Sequence, residues 1–537
     1  MDTFDFVIVG AGAAGCVLAN RLTEDDDATV CVIEAGTQDR HPLIAIPAGF
    51  VKTLYGDRFV WPFATEPSPS LDGRSVAIPQ GKVVGGSSSI NGMVYNRGQR
   101  ADFDIWAQMG NRGWGYDDLL PYFKRSETRI GLGDDHFRGR AGELPITDND
   151  WINPLAEAFL DAAEALGIPR IADYNAGTQF GGGYFQRYIH RGLRFSTAKA
   201  FLRPALRRRS TALRTKAQVV AVIMDGRKAI GVRYRDAGGA EYEVGARREV
   251  ILSAGAVNSP KLLQLSGIGP VGLLNDLGVP VVVALEGVGE NLRDHYSVRM
   301  TARARNVVTI NELARWPRLP MEVLKWTVGK PSILALCPTI GFVHAKSHPD
   351  LEDSDLRILF TPGSYMEGRV YVLDDHPGMT CGAAQPRPES SGYVRAVSRN
   401  AADPPIVQPN YLAAEADQRI TLAGLRLVRR LFNSVELAPY FDRETLPGAE
   451  VASDDELLDF ARKRGNTGYH LVGTCRMGPV GAGRTVVDHN LVVHGVQNLR
   501  VIDASIMPLL PSANTFAATI AIAEKGADLI RGRTTAN

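Results

Sequence analysis

The chain opens with Phe4-Asp5-Phe6-Val7-Ile8-Val9-Gly10-Ala11-Gly12-Ala13-Ala14-Gly15, and its architecture follows from these twelve residues. A short apolar strand runs directly into three glycines spaced as G-x-G-x-x-G, and a helical pattern continues through Leu22. A second apolar strand is predicted over residues 29–33, and Glu34 follows it, 19 positions after Gly15. Strand, glycine turn, helix, strand and acidic residue in this order predict a dinucleotide-binding β-α-β unit.

Each glycine of this fingerprint has a physical role. Gly10 makes the tight turn, Gly12 lets the backbone approach a pyrophosphate, and Gly15 lets the helix pack closely against the strand. The helix N-terminus then faces the phosphates, because its free N–H groups and its dipole favour negative charge. We expect Glu34 to accept hydrogen bonds from the ribose hydroxyls and to repel a 2′-phosphate, which disfavours NADP.

The composition is typical of a globular chain with more than one domain. Of the 537 residues, 45% are apolar and 22% are charged. Sixty basic and 59 acidic residues give a net charge of +1, so no global field favours nucleic acid, and no nucleic-acid partner is expected. The five cysteines are scattered and lack a C-x-x-C pair, which indicates reduced thiols and neither a disulfide framework nor a metal site.

Targeting and membrane signals are not apparent in the sequence. The N-terminus has no basic segment followed by a cleavage site, and no run reaches the ~18 apolar residues needed to span a bilayer. We therefore expect a soluble, cytoplasmic protein without an integral membrane segment, and peripheral contact with a membrane stays open.

The last part of the chain is predicted to return to the sheet of the first β-α-β unit. Beyond Arg214 the apolar residues alternate as in an antiparallel meander, and residues 415–432 have a helical pattern. Residues 498–503 form another apolar strand, and an amphipathic helix over 515–530 follows Ser512 and Asn514, which are both N-cap residue types. The nucleotide domain is therefore predicted to be discontinuous.

Two further segments resemble the signatures of the glucose-methanol-choline (GMC) oxidoreductases. The first is GKVVGGSSSIN at residues 81–91, which runs on to Asp104, and the second is GAVNSPKLLQLSGIG at 255–269. The fingerprint and the 470–514 region also match in order and spacing, so the resemblance covers essentially the whole chain. It is greatest to the bacterial choline dehydrogenase and alcohol dehydrogenase branch.

The resemblance implies an α/β protein with two domains. One is a discontinuous Rossmann-type FAD-binding domain, expected over residues 1–160, 210–300 and 465–537. The other is an α+β substrate-binding domain built on an antiparallel sheet, expected over residues 161–209 and 301–464.

The resemblance also implies FAD as the cofactor. Residues from the first signature are expected at the pyrophosphate and the flavin edge, the backbone of Val219 at the adenine, and Asp503 with Ala504 at the ribityl chain and phosphates. Some members bind FAD covalently through a histidine just before the asparagine of the first signature, and Ile90 at that position predicts noncovalent FAD. The predicted cofactor-binding residues are Gly10, Gly12, Gly15, Glu34, Ala35, Gly85, Gly86, Asn91, Val94, Val219, Asp503, Ala504, Asn514 and Thr515.

The catalytic residues implied by the resemblance are His470 and Asn514. Alcohol oxidation needs a base beside the hydroxyl and a hydride acceptor beside the carbon, and flavin N5 is the acceptor. Histidine suits the base because its ordinary pKa is near neutrality, and Asn514 can donate to the alcohol oxygen. Taken alone, His470 is more typical of a packed residue and Asn514 of a helix cap. Leu471 departs from the proline common in related chains, and His190 and His295 are interpreted as structural.

The leading hypothesis is oxidation of a primary alcohol to an aldehyde, with electrons passing to a quinone-like acceptor. The alternatives are an oxidase of the same family that uses O₂ and releases H₂O₂, a nicotinamide-dependent dehydrogenase, and a flavin-binding protein without alcohol turnover. Residues 300–450, which should form the substrate pocket, contain no readable motif and no obvious carboxylate cage for choline. A neutral alcohol is the preferred substrate.

Overall fold

The computed structural model describes residues 1–25, 27–54, 56–367 and 372–533. Two seven-stranded sheets dominate this part of the chain. Their strands, in chain order, are β1 (Asp2–Val9), β2 (Val30–Ile33), β3 (Gly181–Tyr184), β4 (Thr211–Arg214), β5 (Gln218–Asp225), β6 (Lys228–Arg235), β7 (Glu241–Leu252), β8 (Tyr296–Ala304), β9 (Gly341–Ala345), β10 (Leu356–Thr361), β11 (Gly378–Ala384), β12 (Phe441–Leu446), β13 (Asn466–Thr467) and β14 (Leu499–Val501).

The longer α-helices surround these sheets. Within the described residues they are α1 (Ala13–Leu22), α2 (Arg100–Gln108), α3 (Tyr116–Ser126), α4 (Pro154–Ala165), α5 (Gly255–Leu265), α6 (Leu319–Thr327), α7 (Glu415–Phe432), α8 (Asp454–Arg464) and α9 (Thr515–Arg531). Short helical turns, including the 3-10 helix Gly86–Ser89, connect several strands.

The first sheet is the predicted nucleotide-binding sheet. Its strand order is β4-β2-β1-β7-β6-β5, and β14 pairs with β7. The pairs β1–β2, β1–β7, β2–β4 and β7–β14 are parallel, whereas β5, β6 and β7 form the predicted antiparallel meander. The inner strands are buried apolar runs, as expected for a parallel sheet covered on both faces. The predicted C-terminal strand thus joins the first β-α-β unit through β7, and the sheet is built from both ends of the chain.

The second sheet is entirely antiparallel, with strand order β12-β8-β11-β10-β9-β3 and β13 beside β8. Helices α4 and α7 pack against its strands. Across the central strands, Ser297 pairs with Ala384 and Ala384 with Arg357, while Arg299 pairs with Gly382 and Gly382 with Leu359. Because side chains alternate along a strand, these rows lie on one face.

The residue ranges of three elements do not coincide with the predicted domain boundaries. Strand β8 belongs to the second sheet but begins at Tyr296, and β13 belongs to it although residues from 465 onward were assigned to the first domain. Helix α4 packs on the second sheet and spans the predicted boundary at residue 160. Strand pairing that links distant residues causes these shifts, and the sequence alone does not reveal that pairing.

The state of the cysteines and the lengths of the apolar helices can be read from the structure. All five cysteines are buried free thiols. In the described ranges, no helix is long and apolar enough to cross a bilayer.

Candidate active site

One large cavity lies between the two sheets. It is lined by the ends of the parallel strands, by the first signature, by the start of α5 and by one face of the second sheet. The predicted site residues that line it are Gly10, Gly12, Glu34, Ala35, Gly86, Asn91, Val94, Val219, His470, Asp503, Ala504, Asn514 and Thr515. Gly15 and Gly85 lie behind this lining and shape the backbone there.

The fingerprint glycines fit the close packing that a dinucleotide cradle needs. A Cβ on Gly15 would lie 1.9 Å from the Gly10 carbonyl oxygen, so only glycine lets α1 approach β1 this closely. A Cβ on Gly86 would lie 2.8 Å from the Gly12 Cα, which shows how tightly the first signature covers the fingerprint turn. Gly85 N–H also donates to the Ala11 carbonyl at 2.7 Å. The two loops therefore form one rigid wall of the cavity.

Glu34 stands at the end of β2, where the fingerprint requires an acid. Its carboxylate accepts hydrogen bonds from the N–H groups of Ala11 at 2.9 Å and Gly36 at 2.8 Å. Burial raises the pKa of Glu34 to about 7, although these two hydrogen bonds oppose the shift. The side chain lines the cavity, in the position of the acid that binds a ribose in such folds.

Asp503 connects the C-terminal region to the second signature. Its carboxylate accepts from Gly255 N–H at 2.8 Å, Ser259 Oγ at 2.6 Å and Ser505 N–H at 2.8 Å. This aspartate therefore orients the start of α5 and the turn at Ala504, both of which line the cavity. The second signature thus contributes lining residues that the sequence-based site did not include, among them Ala256.

The start of α9 also faces the cavity. Asn514 is the N-cap residue, but its side chain makes no capping hydrogen bond. Thr515 and Phe516 line the cavity, so the positive end of the helix dipole is directed at it. A glycine-rich cradle, an acid at the ribose position and a helix N-terminus are features that fit FAD.

A chain of hydrogen bonds fixes the proton positions at His470. The Pro386 carbonyl can only accept, so His295 Nε2, at 2.7 Å, carries a proton. Neutral His295 therefore accepts at Nδ1, and His470 Nδ1, at 2.8 Å, is the donor. This network assigns the tautomer in which Nε2 of His470 is unprotonated.

Arg357 fixes the amide of Asn514 in the same way. Its guanidinium donates to Asn514 Oδ1 at 2.5 Å, so Nδ2 is the amide atom that faces His470 Nε2, at 2.9 Å. The unprotonated nitrogen of His470 and the amide donor of Asn514 thus meet at the cavity surface. A base and a hydrogen-bond donor for an alcohol oxygen stand side by side.

Burial keeps the two histidines neutral. It lowers the pKa of His470 well below 6.5, and the nearby His295 and Arg357 lower it further. Burial likewise lowers the pKa of His295 to about 3. His470 is therefore in its basic form at neutral pH.

The backbone around His470 is held by close contacts. Its N–H donates to Asp294 at 2.7 Å, and Tyr469 has a positive φ of 63°. A Cβ on Gly468 would lie 2.9 Å from both His295 Cβ and His470 Nδ1, so glycine is needed for the two rings to meet. Leu471 is buried in the same hydrophobic cluster as Val298 and Phe360 of the second sheet. This packing anchors the turn without the expected proline.

The sequence-based site did not include two residues that contact His470 or Asn514. His295 was interpreted as structural, and the structure adds that its ring is hydrogen-bonded directly to His470. Arg357 was not considered, since β10 carries no motif. Only the pairing of the second sheet brings these side chains to His470.

Comparison with known proteins decides the family. The GMC oxidoreductase model matches residues 4–297 with its N-terminal part and residues 388–523 with its C-terminal part. The chain belongs to the GMC oxidoreductase family. It is therefore an FAD-dependent oxidoreductase that acts on CH–OH donors.

Similar GMC proteins have different substrates. The chain is 39% identical to mitochondrial choline dehydrogenase of Homo sapiens, over 99% of this chain and 90% of the relative. It is also 39% identical to an oxygen-dependent choline dehydrogenase of Brucella canis, over 99% and 96%. The structure of pyridoxine 4-oxidase from Mesorbium loti superposes with a TM-score of 0.89 at 32% identity, covering 99% of both chains. Family membership therefore identifies the reaction class but leaves the alcohol open.

Proposed function

We propose that this enzyme oxidises a primary alcohol to the aldehyde, with His470 as the general base. The observation that carries the proposal is the unprotonated Nε2 of His470, which lies 2.9 Å from the donor amide of Asn514 in the cavity wall. An alcohol that approaches both atoms from the cavity would replace this contact, because its hydroxyl can give its proton to Nε2 and its oxygen can accept a hydrogen bond from Nδ2.

The side chains then have separate roles. His470 takes the hydroxyl proton at Nε2, and the hydrogen bond from its Nδ1–H to His295 stabilises the positive charge that the ring acquires. Asn514 donates to the oxygen as negative charge grows there, while Arg357 keeps the amide turned correctly. Bound FAD supplies the hydride acceptor at N5.

We infer that FAD is held without a covalent bond and by the predicted residues. Ile90, at the position used for covalent attachment, is buried and lines the cavity, and its side chain has no nucleophilic atom. Gly12, Gly86 and the N-terminus of α9 would hold the pyrophosphate and the flavin edge, and Glu34 the ribose.

The electron acceptor is proposed to be quinone-like, as for a dehydrogenase. An oxidase that passes electrons to O₂ is the second candidate, because the names of the relatives include both dehydrogenases and an oxidase. The same reductive step serves both reactions, and only the reoxidation differs.

Anaerobic stopped-flow absorbance of the purified holoenzyme tests the proposal. Primary alcohols should bleach the flavin, and admission of air then distinguishes slow reoxidation from fast reoxidation with H₂O₂. If no alcohol bleaches the flavin, the proposed reaction is wrong, and the protein is a flavin binder without alcohol turnover.

The variant His470→Ala tests the assignment of the base. It should stay yellow, yet its flavin reduction by alcohol should fall about 1,000-fold or more, because base catalysis and substrate positioning are both lost. His348→Ala is the matched control, since His348 is exposed and does not line the cavity. Reduction at the full rate by His470→Ala would refute the assignment.

A further inference from the structure

Arg357 is a buried cation without an anionic partner. The residue is only 4% exposed, and none of the described carboxylates forms an ion pair with it. One Nη donates to Asn514, the guanidinium carbon lies 5.5 Å from the centroid of the Phe185 ring, and the buried Nε has no hydrogen-bond partner. A buried charge without a counter-ion costs folding free energy, and the cavity that Arg357 lines is the place where an anion could reach its guanidinium.

The position of Arg357 shows where that partner would lie. It occupies the cavity-facing row of the second sheet and contacts the Asn514 amide, which in turn contacts His470. A group bound by Arg357 would therefore lie beside Asn514 and His470, where the proposed function places the alcohol.

The charge of the rest of the cavity favours an anion. Among the described lining residues the only carboxylates are Glu34 and Asp503, and backbone N–H groups hold both in the nucleotide part. The face of the second sheet instead carries Arg299 as well as Arg357, with uncharged side chains between them, such as Ser297. A cation such as choline would meet the charge of Arg357 here, and none of the described residues that line this face is a carboxylate.

We propose that the substrate is a primary alcohol that carries a carboxylate, and that Arg357 binds this carboxylate. Planar guanidinium matches a carboxylate through parallel N–H groups, and the interaction is strong where water is excluded. The inference rests on the proposed function and narrows its substrate class from primary alcohols in general to short hydroxy acids, in place of the neutral alcohol that the sequence favoured. Arg357 is thus a specificity residue as well as a support for Asn514.

Equilibrium binding tests the anion site without turnover. Oxidised holoenzyme is titrated with acetate, propanoate, their neutral amides and tetramethylammonium, and the flavin spectrum and calorimetry report binding. The carboxylates should bind at least about 30-fold more tightly than the amides. Equal binding of carboxylate and amide, or tighter binding of tetramethylammonium, would overturn the proposal.

Variants of Arg357 distinguish its proposed role in binding a carboxylate from its role in orienting the Asn514 amide. Arg357→Met should abolish the preference for carboxylates, and Arg357→Lys should retain a weaker preference because it keeps the charge but not the fork of donors. Arg303→Met is the control, because Arg303 lies on β8, is partly exposed and does not line the cavity. If Arg357→Met binds carboxylates as tightly as the parent enzyme, Arg357 only positions Asn514 and the inference fails.

Turnover distinguishes this inference from the proposed function. Anaerobic flavin reduction is measured with glycolate, hydroxypropanoate, their amides, propanol and choline. Preferential reduction by the hydroxy acids supports both ideas, and reduction by propanol or choline with no advantage for the acids refutes the inference alone. Tight carboxylate binding without reduction by any alcohol refutes the proposed function alone.

Discussion

At His470, the direction of one hydrogen bond determines which ring nitrogen carries the proton. The carbonyl of Pro386 sets the tautomer of His295, and His295 sets that of His470. In the proposed mechanism, this backbone carbonyl therefore determines which nitrogen of the base is unprotonated. The same mechanism would make His295 a positioning residue, because it acts through His470.

Substitution of His295 tests this relay. His295→Leu should slow flavin reduction about 10-fold to 100-fold, because Nδ1–H of His470 loses its acceptor and the other tautomer becomes populated. His295→Gln should recover much of the rate, since its amide oxygen can accept that proton and its NH₂ group can donate to Pro386. Stopped-flow reduction and FAD content are measured for both. Equal rates in the Leu and Gln variants would show that the ring serves only for packing.

The pH dependence of catalysis follows from the lowered pKa of His470. A base whose pKa lies below 6.5 stays unprotonated as the pH falls to that value, so kcat/KM for alcohol should be flat from about pH 8 to pH 6.5. Activity should be lost only at lower pH, as the ring takes up a proton. Circular dichroism over the same range controls for unfolding. An acid limb centred above pH 7 would contradict the expectation.

At the level of elements, two glycines of the turn between β1 and α1 differ in why glycine is expected there: Gly10 for folding and Gly12 for cofactor binding. Gly10 has a φ of +100°, and a Cβ there would lie 2.5 Å from the Ser253 carbonyl oxygen, so the fold itself needs this glycine. At Gly12 the nearest atom to an added Cβ is the same oxygen at 3.8 Å, which is ordinary contact. We therefore expect that cofactor binding, and not the fold, requires glycine at position 12.

The variant Gly12→Ala should fold but lose FAD. The added methyl group has room in the protein, yet it occupies the space through which a pyrophosphate approaches the backbone. Flavin content after purification and the Kd for added FAD are the measurements, with circular dichroism as the test of folding. Gly272→Ala is the control, because a Cβ there meets nothing within 4 Å. A yellow Gly12→Ala protein with unchanged affinity would remove this glycine from the site.

Elements with a local signal could be predicted from the sequence, and the rest could not. Helix α7 has the predicted bounds, and α9 extends one residue past the predicted end at 530. The strand predicted over 498–503 is shorter, because only Leu499–Val501 finds a partner in β7. His295 and Arg357 escaped prediction because no periodicity or motif encodes the antiparallel pairing that brings β8 and β10 together.

At the scale of the whole molecule, the cofactor site draws on both ends of the chain. The fingerprint near residue 10, the signature near residue 86 and the helix that begins at Thr515 all line one cavity. A ligand that contacts all three stabilises the folded arrangement by binding only to it.

Removal of FAD should therefore lower stability. At 100 times Kd a ligand adds about 2.7 kcal/mol to the free energy of unfolding, so the Tm of the apoprotein should lie below that of the holoenzyme. Calorimetry on protein stripped of flavin measures the change, and added FAD should restore the original Tm. Identical melting of both forms would mean that FAD does not bridge these segments.

Acid precipitation tests the noncovalent state that Ile90 implies. The flavin should appear in the supernatant and leave a colourless pellet, because no bond joins it to the chain. Ultrafiltration of the native holoenzyme is the control, since the folded protein should retain its colour. A yellow acid pellet would require another attachment residue.

Strand β11, in the middle of the second sheet, has a consequence for how the substrate range of such enzymes can change. On the cavity face, β11 presents only small residues, and a Cβ on Gly382 would lie 3.2 Å from Ser297 Oγ and 3.7 Å from Leu359 Cβ. One exchange in this strand therefore remodels the space for the alcohol, while the flavin cradle is inherited unchanged on the other sheet. Substitutions in this strand can thus change the substrate without changing the residues that are expected to hold the flavin.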